Sequence, residues 1–394
     1  MSKSAIPLRY NMRNLFVRRV STFMTVLGIA LVVAVFLLVM SLAEGVRKTF
    51  EAPVSPLSIV ALRVGAPSDV MSVITREEFD AVQTLPGIDR TPSGKPLVSP
   101  EIVVLISLPR KDGRKANVVL RGVEAEAFLL RPAFKIVEGR TFRPGTNEVV
   151  VSKRTAGRFA SLAVGGEIRS GIERWTIVGH FEAANSPFDS EIWADLHNLQ
   201  EQAQREGVLS VLRVRARDLE RRAGLLTSIR DDQRIKLAAK TEGQYFSEQQ
   251  STAKPIEFLA WLVGVLMAIG ATFGTMNTMY AQVAARTTDI ATLRALGYSR
   301  RSVVLSFVIE SVFLALMGGA LGVLAAILLV KLLLVEPTGT QNVATFAEVL
   351  FNFRITPSLV ARGVAFALVM GVAGGLLPAL RAARLKITTA LRAA

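Results

Sequence analysis

Arg286-Thr287-Thr288-Asp289-Ile290-Ala291-Thr292-Leu293-Arg294-Ala295-Leu296-Gly297-Tyr298-Ser299-Arg300-Arg301 is the stretch that decides the fold. It lies between two apolar runs, residues 258–285 and 303–330. Each is longer than the roughly 20 residues a helix needs to cross a bilayer, so the stretch is a loop at one membrane face. Its four arginines against one aspartate place it on the cytoplasmic side by the positive-inside rule. Ile290, Leu293 and Leu296 recur at i, i+3 and i+6, one face of a short helix, and Gly297 stands where that helix would stop. A basic, helical loop with one apolar face needs a partner surface, either lipid headgroups or protein.

Working outward, residues 257–285 and 303–330 become the second and third transmembrane helices, with 286–302 as the loop between them. Residues 21–43 contain no charge and form the first span. Before them, residues 1–20 are basic through Arg9, Arg13, Arg18 and Arg19 without an acid, and Leu8, Met12 and Leu15 share a helical face. That pattern fits an amphipathic helix on the cytoplasmic leaflet or a simple positive anchor. The apolar stretch is too long for a cleavable signal peptide. After the third span, 331–357 is a polar outer loop, closed by Thr356 as N-cap and Pro357 at the first helical position. The fourth span is 358–380. The tail 381–394 carries Arg381, Arg384, Lys386 and Arg392, which hold it inside. The expected architecture is an α-helical membrane protein with four transmembrane helices. Both termini are cytoplasmic, and an extracytoplasmic α+β domain, 44–256, is inserted between helices 1 and 2.

That outer domain shows both periods. Residues 57–64, 101–108, 116–121, 147–152, 167–170, 173–181, 208–216 and 234–239 read as strands. Thr75 and Glu78 form a capping box that opens a helix, and Asp218 caps another. Lys111-Asp112-Gly113-Arg114 is a hairpin turn signal. His180, Glu182, Asp189 and Glu191 cluster in sequence, but without HExxH or zinc spacing. An ordinary hairpin explains them better than a metal or acid–base site.

Composition bounds the function. The chain has 394 residues, 51% hydrophobic and 20% charged, with mean hydropathy +0.39. A membrane part with a sizeable soluble domain fits both figures. The net charge of +15 sits largely beside the spans, so topology rather than nucleic acid explains it. Without cysteine the outer domain must be held by its own core. No GxxxxGK[ST] occurs, nor GxSxG or HExxH. The chain therefore offers no nucleotide-binding loop and no residues for an enzyme reading.

Residues 289–301, Asp-Ile-Ala-Thr-Leu-Arg-Ala-Leu-Gly-Tyr-Ser-Arg-Arg, followed by Phe307-Val308-Ile309-Glu310-Ser311, resemble the second-to-third-helix loop of the MacB/FtsX-like permeases of ABC transporters. Pro378-Ala379-Leu380-Arg381-Ala382-Ala383 resembles that family's C-terminal signature, and Arg9-Tyr10-Asn11-Met12-Arg13-Asn14-Leu15 its N-terminal segment. Residues 174–183 and 188–193 resemble its periplasmic domain, with a variable inserted subdomain over about 96–206. The resemblance implies a coupling helix that docks on an ABC ATPase through Asp289, Ile290, Leu293, Arg294, Leu296 and Gly297. ATP and magnesium would belong to that partner, with no cofactor in this chain. It also implies a second permease protomer, identical or related, a bacterial inner-membrane location, and a periplasmic adaptor or outer-membrane partner as a further candidate. Two functions stay open: export or extraction of an amphipathic or lipid-linked substrate, and FtsX-like signal transmission to a periplasmic partner without transport.

Two further features concern the spans. Small residues four apart, Ala30/Ala34, Gly264/Ala268, Gly270/Gly274, Gly318/Gly322 and Gly371/Gly375, let helices approach closely, either within one protomer or at a dimer seam. Glu310 is an ionisable group about two turns inside the third span, a functional suspect by default. The sequence offers no second intramembrane acid to receive a proton, which favours a structural role.

Overall fold

The computed structural model describes residues 19–51, 55–170, 173–249, 253–333, 338–342 and 345–385. The basic segment up to residue 18 and the tail residues Lys386 and Arg392 lie outside the described residues. The chain divides into two compact units. One contains Met1–Glu44, Pro255–Val335 and Phe353–Ala394; the other contains Gly45–Lys254 and Glu336–Asn352.

The first unit is built on four long helices, Arg19–Phe50, Ala253–Ala285, Arg300–Leu333 and Pro357–Ala383. All four are long and apolar enough to cross a membrane. Thr356 caps the fourth, its Oγ1 accepting from the Leu359 N–H at 3.3 Å, with Pro357 at the first turn. Small residues set the close approaches. A Cβ on Gly318 would lie 2.8 Å from Ile29, and one on Gly322 would lie 2.6 Å from the Ala30 carbonyl. Gly371 and Gly375 approach Ala315 and Ser311 of the third helix just as closely. Phe36 of the first helix stacks on Phe366 at 4.6 Å and meets Trp261 edge-on at 5.4 Å. In lipid, where apolar burial between helices gains little, such interlocking supplies most of the association.

The second unit is α/β. Its strands in chain order are β1 (Ser58–Arg63), β2 (Ile74–Thr75), β3 (Val98–Pro109), β4 (Lys115–Val123), β5 (Phe134–Gly139), β6 (Glu148–Ser152), β7 (Glu167–Ser170), β8 (Glu173–Ala183), β9 (Glu191–Asp195), β10 (Val208–Leu209), β11 (Val211–Arg215), β12 (Leu237–Thr241), β13 (Thr338–Gln341) and β14 (Glu348–Phe351). A ten-stranded sheet runs β12-β1-β11-β3-β4-β9-β6-β8-β5, with β7 also paired to β8. The β3–β4 hairpin turns at residues 110–114, where Gly113 takes φ +83°, a conformation that favours glycine. The Thr75–Glu78 capping box forms in full, and Asp218 accepts from the Arg221 N–H at 2.7 Å to start the helix Leu219–Asp231.

β3 pairs with β11 over residues 98–101 and with β4 over residues 102–109. The strand-rich middle of the chain is thereby continuous with the outer strands in one sheet. Trp175, Trp193, Phe159 and Phe181 are fully buried, and each such side chain contributes about 1.5–3 kcal/mol. This apolar core does the work that disulfides do in many extracytoplasmic domains.

Candidate coupling site

The loop at 286–299 folds as the helix Thr287–Ala295. Its end is a Schellman motif. The Tyr298 N–H donates to the Leu293 carbonyl at 3.2 Å and the Gly297 N–H to the Arg294 carbonyl at 3.1 Å. Gly297 sits at φ +93°, where a side chain would be strained. Ser299 Oγ then accepts from the Ser302 N–H at 3.1 Å as the third long helix begins.

The apolar face expected on this helix is divided. Ile290 is 3% exposed, in one cluster with Met279, Val283, Val303, Phe307 and Ala382 of the long helices. It packs inside its own bundle rather than toward a partner. Leu293 is half-buried, and Leu296 is exposed. Arg294 Nη1 donates to the Ala383 carbonyl at 2.7 Å, so it bonds the last turn of the fourth long helix, a favourable place for a cation. The exposed positions Thr288, Asp289, Thr292, Ala295 and Leu296 recur at helical spacing. They form a small, largely polar face ending in one leucine. Asp289 lies in the first turn, where a carboxylate complements the helix dipole.

Glu310, 1% exposed at its side chain, faces an arginine. Arg286, the first residue of the loop, places Nη1 and Nη2 at 3.1 and 3.2 Å from the two Glu310 oxygens. A two-pronged guanidinium–carboxylate pair is the geometry that makes a buried charge tolerable. It ties the loop to the helix that follows. The signal was in the sequence, since Arg286 and Glu310 are a base and an acid flanking one loop, but spacing alone could not pair them.

The segment between the third and fourth long helices was expected to be a polar outer loop, with no secondary structure assigned to it. Instead β13 and β14 form a hairpin that belongs to the α/β unit. Glu348, 3% exposed at its side chain, accepts from Arg110 Nε at 2.8 Å and from Arg158 Nε at 2.7 Å. Ser190 Oγ accepts from the Leu350 N–H at 2.8 Å, and Asn117 donates to the Phe346 carbonyl at 3.3 Å. Sequence reading passed over Glu348 because its partners lie far back in the chain. A lone acid heading the apolar run Val349-Leu350-Phe351 was the available hint.

A larger buried ionic network, also unforeseen, lies in the α/β unit. Glu101 on β3 accepts from Arg131 at 2.6 Å, Arg121 at 2.9 Å and Arg213 at 3.4 Å. Arg121 also reaches Glu191 at 2.6 Å and Asp69 at 2.9 Å, and Arg213 pairs with Glu242. The ring of Phe188 lies 4.5–5.5 Å from all three guanidinium carbons, a cation–π arrangement. Burial alone would raise the Glu101 pKa, but the charges of Arg131, Arg213 and Arg121 outweigh it and hold the carboxyl at about 2. Of the four residues weighed as an acid–base set, only Glu191 joins this network. His180 bonds Glu138 and the Leu162 carbonyl, both at 2.8 Å. Glu182 pairs with Lys153 at 3.3 Å, and Asp189 accepts from the Ala183 N–H at 2.6 Å. The four do not converge.

Two family models match. Residues 22–232 match the MacB-like periplasmic core domain, and residues 261–387 match the FtsX-like permease C-terminal domain. The macrolide export ATP-binding/permease protein MacB of Hahella chejuensis is 23% identical over 402 residues, covering 95% of this chain and 58% of that protein. Its Escherichia coli namesake is 24% identical over 324 residues, covering 77% and 49%. The chain thus spans about half to three-fifths of the curated relatives it matches. The solved periplasmic region of MacB from Actinobacillus actinomycetemcomitans shares 11% identity at a TM-score of 0.37, covering 48% of this chain and 91% of that one.

Proposed function

This chain belongs to the MacB/FtsX-like family of ABC transporter permeases, and on that premise we propose that it works as a lever. ATP, with magnesium, is hydrolysed on a separate ATPase subunit that docks on the helix Thr287–Ala295. The charge pattern supports a multi-pass inner-membrane topology with both termini and this loop inside and the α/β unit in the periplasm. Docking involves Asp289, Leu293, Leu296 and the turn at Gly297, while Ile290 and Arg294 hold the helix in place.

One observation carries the reading. The chain passes between its two units four times, at residues 44–45, 254–255, 335–336 and 352–353. The chain therefore joins each long helix to the α/β unit at one end, two of them through the segment that contains the hairpin held by Glu348. In this reading, movement of the helices is passed to that unit along the chain. Among the described residues, the one acid deep in the third span is paired to Arg286, so it is not left to line a path for a hydrophilic solute. Work done by ATP inside would appear as motion outside, exporting or extracting an amphipathic or lipid-linked substrate with a periplasmic adaptor or outer-membrane partner. The same lever suits FtsX-like signalling without transport. Substrate-stimulated ATP turnover separates the two.

A second permease protomer, identical or related, is part of this reading. Gly270 and Gly274 have no heavy atom within 4 Å of where a Cβ would stand, whereas Gly318, Gly322, Gly371 and Gly375 are all occupied within the protomer. The first pair is free to pack against another copy.

The chain has no cysteine, so paired labels can be introduced at exposed Arg114 and Lys331 in the assembled complex. ATP should change their separation in the wild type and not in Leu296→Asp, which should also lose ATPase on co-purification. ATP turnover with an unchanged separation would overturn the lever.

A further inference from the structure

We propose that the ends of the third and fourth long helices form a binding site for an anionic phospholipid. A groove of about 530 Å³ lies between them. Arg300, Arg301 and Arg384 stand at one end, and Leu305, Val308 and Leu380 line its length. All three arginines are exposed, as are Leu305 and Leu380. No acidic side chain lines the groove among the described residues. The inference rests on these helices being membrane spans.

The arrangement is amphipathic along one axis. From Arg300 to Val308 the helix rises about 12 Å, enough to pass from the headgroup layer into the hydrocarbon. An occupant must place negative charge at the arginines and an apolar chain along the leucines. The positive end of the third helix's dipole lies at the same place as Arg300 and adds to the field. Arginine's planar fork suits a phosphodiester, which it can meet with two hydrogen bonds. The chain's own terminal segments are poor competitors. Residues 1–18 and 386–394 carry lysine and arginine and no acid, so they repel this end of the groove. A diacyl lipid with a net negative headgroup fits both halves.

The site has a consequence for the proposed coupling helix. Arg300 and Arg301 begin the helix that follows Gly297 and Ser299. A lipid held there would fix the exit of the coupling loop at the membrane surface.

The test uses the full chain purified in nanodiscs of phosphatidylcholine alone or mixed with phosphatidylglycerol, with retained lipid read by native mass spectrometry. Each basic side chain near an anionic headgroup favours binding about fivefold, so three should favour phosphatidylglycerol about a hundredfold. Inorganic phosphate should not displace it. The triple variant Arg300→Gln, Arg301→Gln, Arg384→Gln should reduce the preference to a few-fold. Leu305→Trp keeps every charge and fills the groove, and it should lower retention about tenfold. Both variants should still co-purify with the ATPase, which reports that they are folded. Equal retention of the two lipids by the wild type would overturn the proposal, as would full retention by the triple variant. Loss of the ATPase by the triple variant with lipid retention intact would assign the arginines to a protein partner instead. If the helices were not spans at all, the wild type would fail to enter nanodiscs, a different failure from equal retention.

Discussion

Glu101 and Glu348 in the α/β unit and Glu310 in the helical unit are all buried glutamates, but three, two and one arginines respectively hold them among the described residues. The difference follows from where the partners come from. Glu101 sits on a central strand, so arginines arrive from β4, from the segment after the helix Glu126–Leu130 and from β11. Glu348 sits on a hairpin that reaches back to residues 190 and 238 positions earlier. Glu310 has its partner only 24 positions away, across one loop. A sheet gathers charge from distant segments, whereas a helical bundle in lipid offers little beyond what its own loops supply. The α/β unit is thus tied by ionic convergence, and the helical unit by close packing of small residues with the Arg286–Glu310 pair as an ionic latch.

Acid should have the largest effect, and it should act on the α/β unit. Against the effect of burial, the Glu101 carboxyl is held at about 2, well below the usual carboxylate range, by Arg131, Arg213 and Arg121. A depressed folded pKa gives stability that is present above the unfolded value and lost as pH falls through the folded one. About 3 kcal/mol should therefore disappear from the α/β unit between pH 4.5 and 2. Near-UV circular dichroism of the full chain should show tertiary signal fading over that window, and Glu101→Gln should flatten it. A transition unaltered by the substitution would mean that other carboxylates govern acid unfolding.

Glu348→Ala should have the next largest effect. It strips two arginines of a shared carboxylate, but both are about one-fifth exposed, so water recovers part of the loss. We expect about 2–3 kcal/mol, localised to the hairpin. Hydrogen exchange at the amides of residues 348–351 should quicken, with ATP-driven motion of the α/β unit weakened. Unchanged protection would show that the bonds from Ser190 and Asn117 hold the hairpin without the clasp.

Glu310→Gln should have the smallest effect, about 1–2 kcal/mol, because the amide keeps its size and still accepts one bond from Arg286. Most ATP-coupled activity should remain. Glu310→Leu, which leaves Arg286 without any acceptor there, should lower assembly with the ATPase further. Activity abolished by Glu310→Gln in a complex that still assembles would make the proton, rather than the ion pair, the essential property.

Some of this was written locally. The strands read at 101–108 and 116–121, which the structure extends to 98–109 and 115–123, and the turn at Gly113 were legible from alternation and turn chemistry. The Thr75–Glu78 box and the Asp218 cap were legible because a helix start is fixed by four consecutive residues. The helix at 287–295 and its glycine stop were equally plain. The direction in which that helix faces was not. Ile290 and Leu296 have the same local signal, yet one meets Phe307 and Val283 in the bundle and the other is exposed.

Local sequence was enough for the four apolar helices, the polar unit that follows the first of them and the helical loop between the second and third spans. Each depends on length, hydropathy or capping within a short window, and backbone physics reads such windows without knowing the rest of the chain. Only the tertiary structure decided that residues 338–351 join the α/β unit, that Arg286 neutralises Glu310, that Arg294 bonds Ala383, and that Arg121, Arg131 and Arg213 converge on Glu101. Those choices depend on which distant side chains meet once the core has excluded water. A buried charge takes whichever opposite charge the packed chain brings within hydrogen-bond reach, and no local pattern encodes that partner.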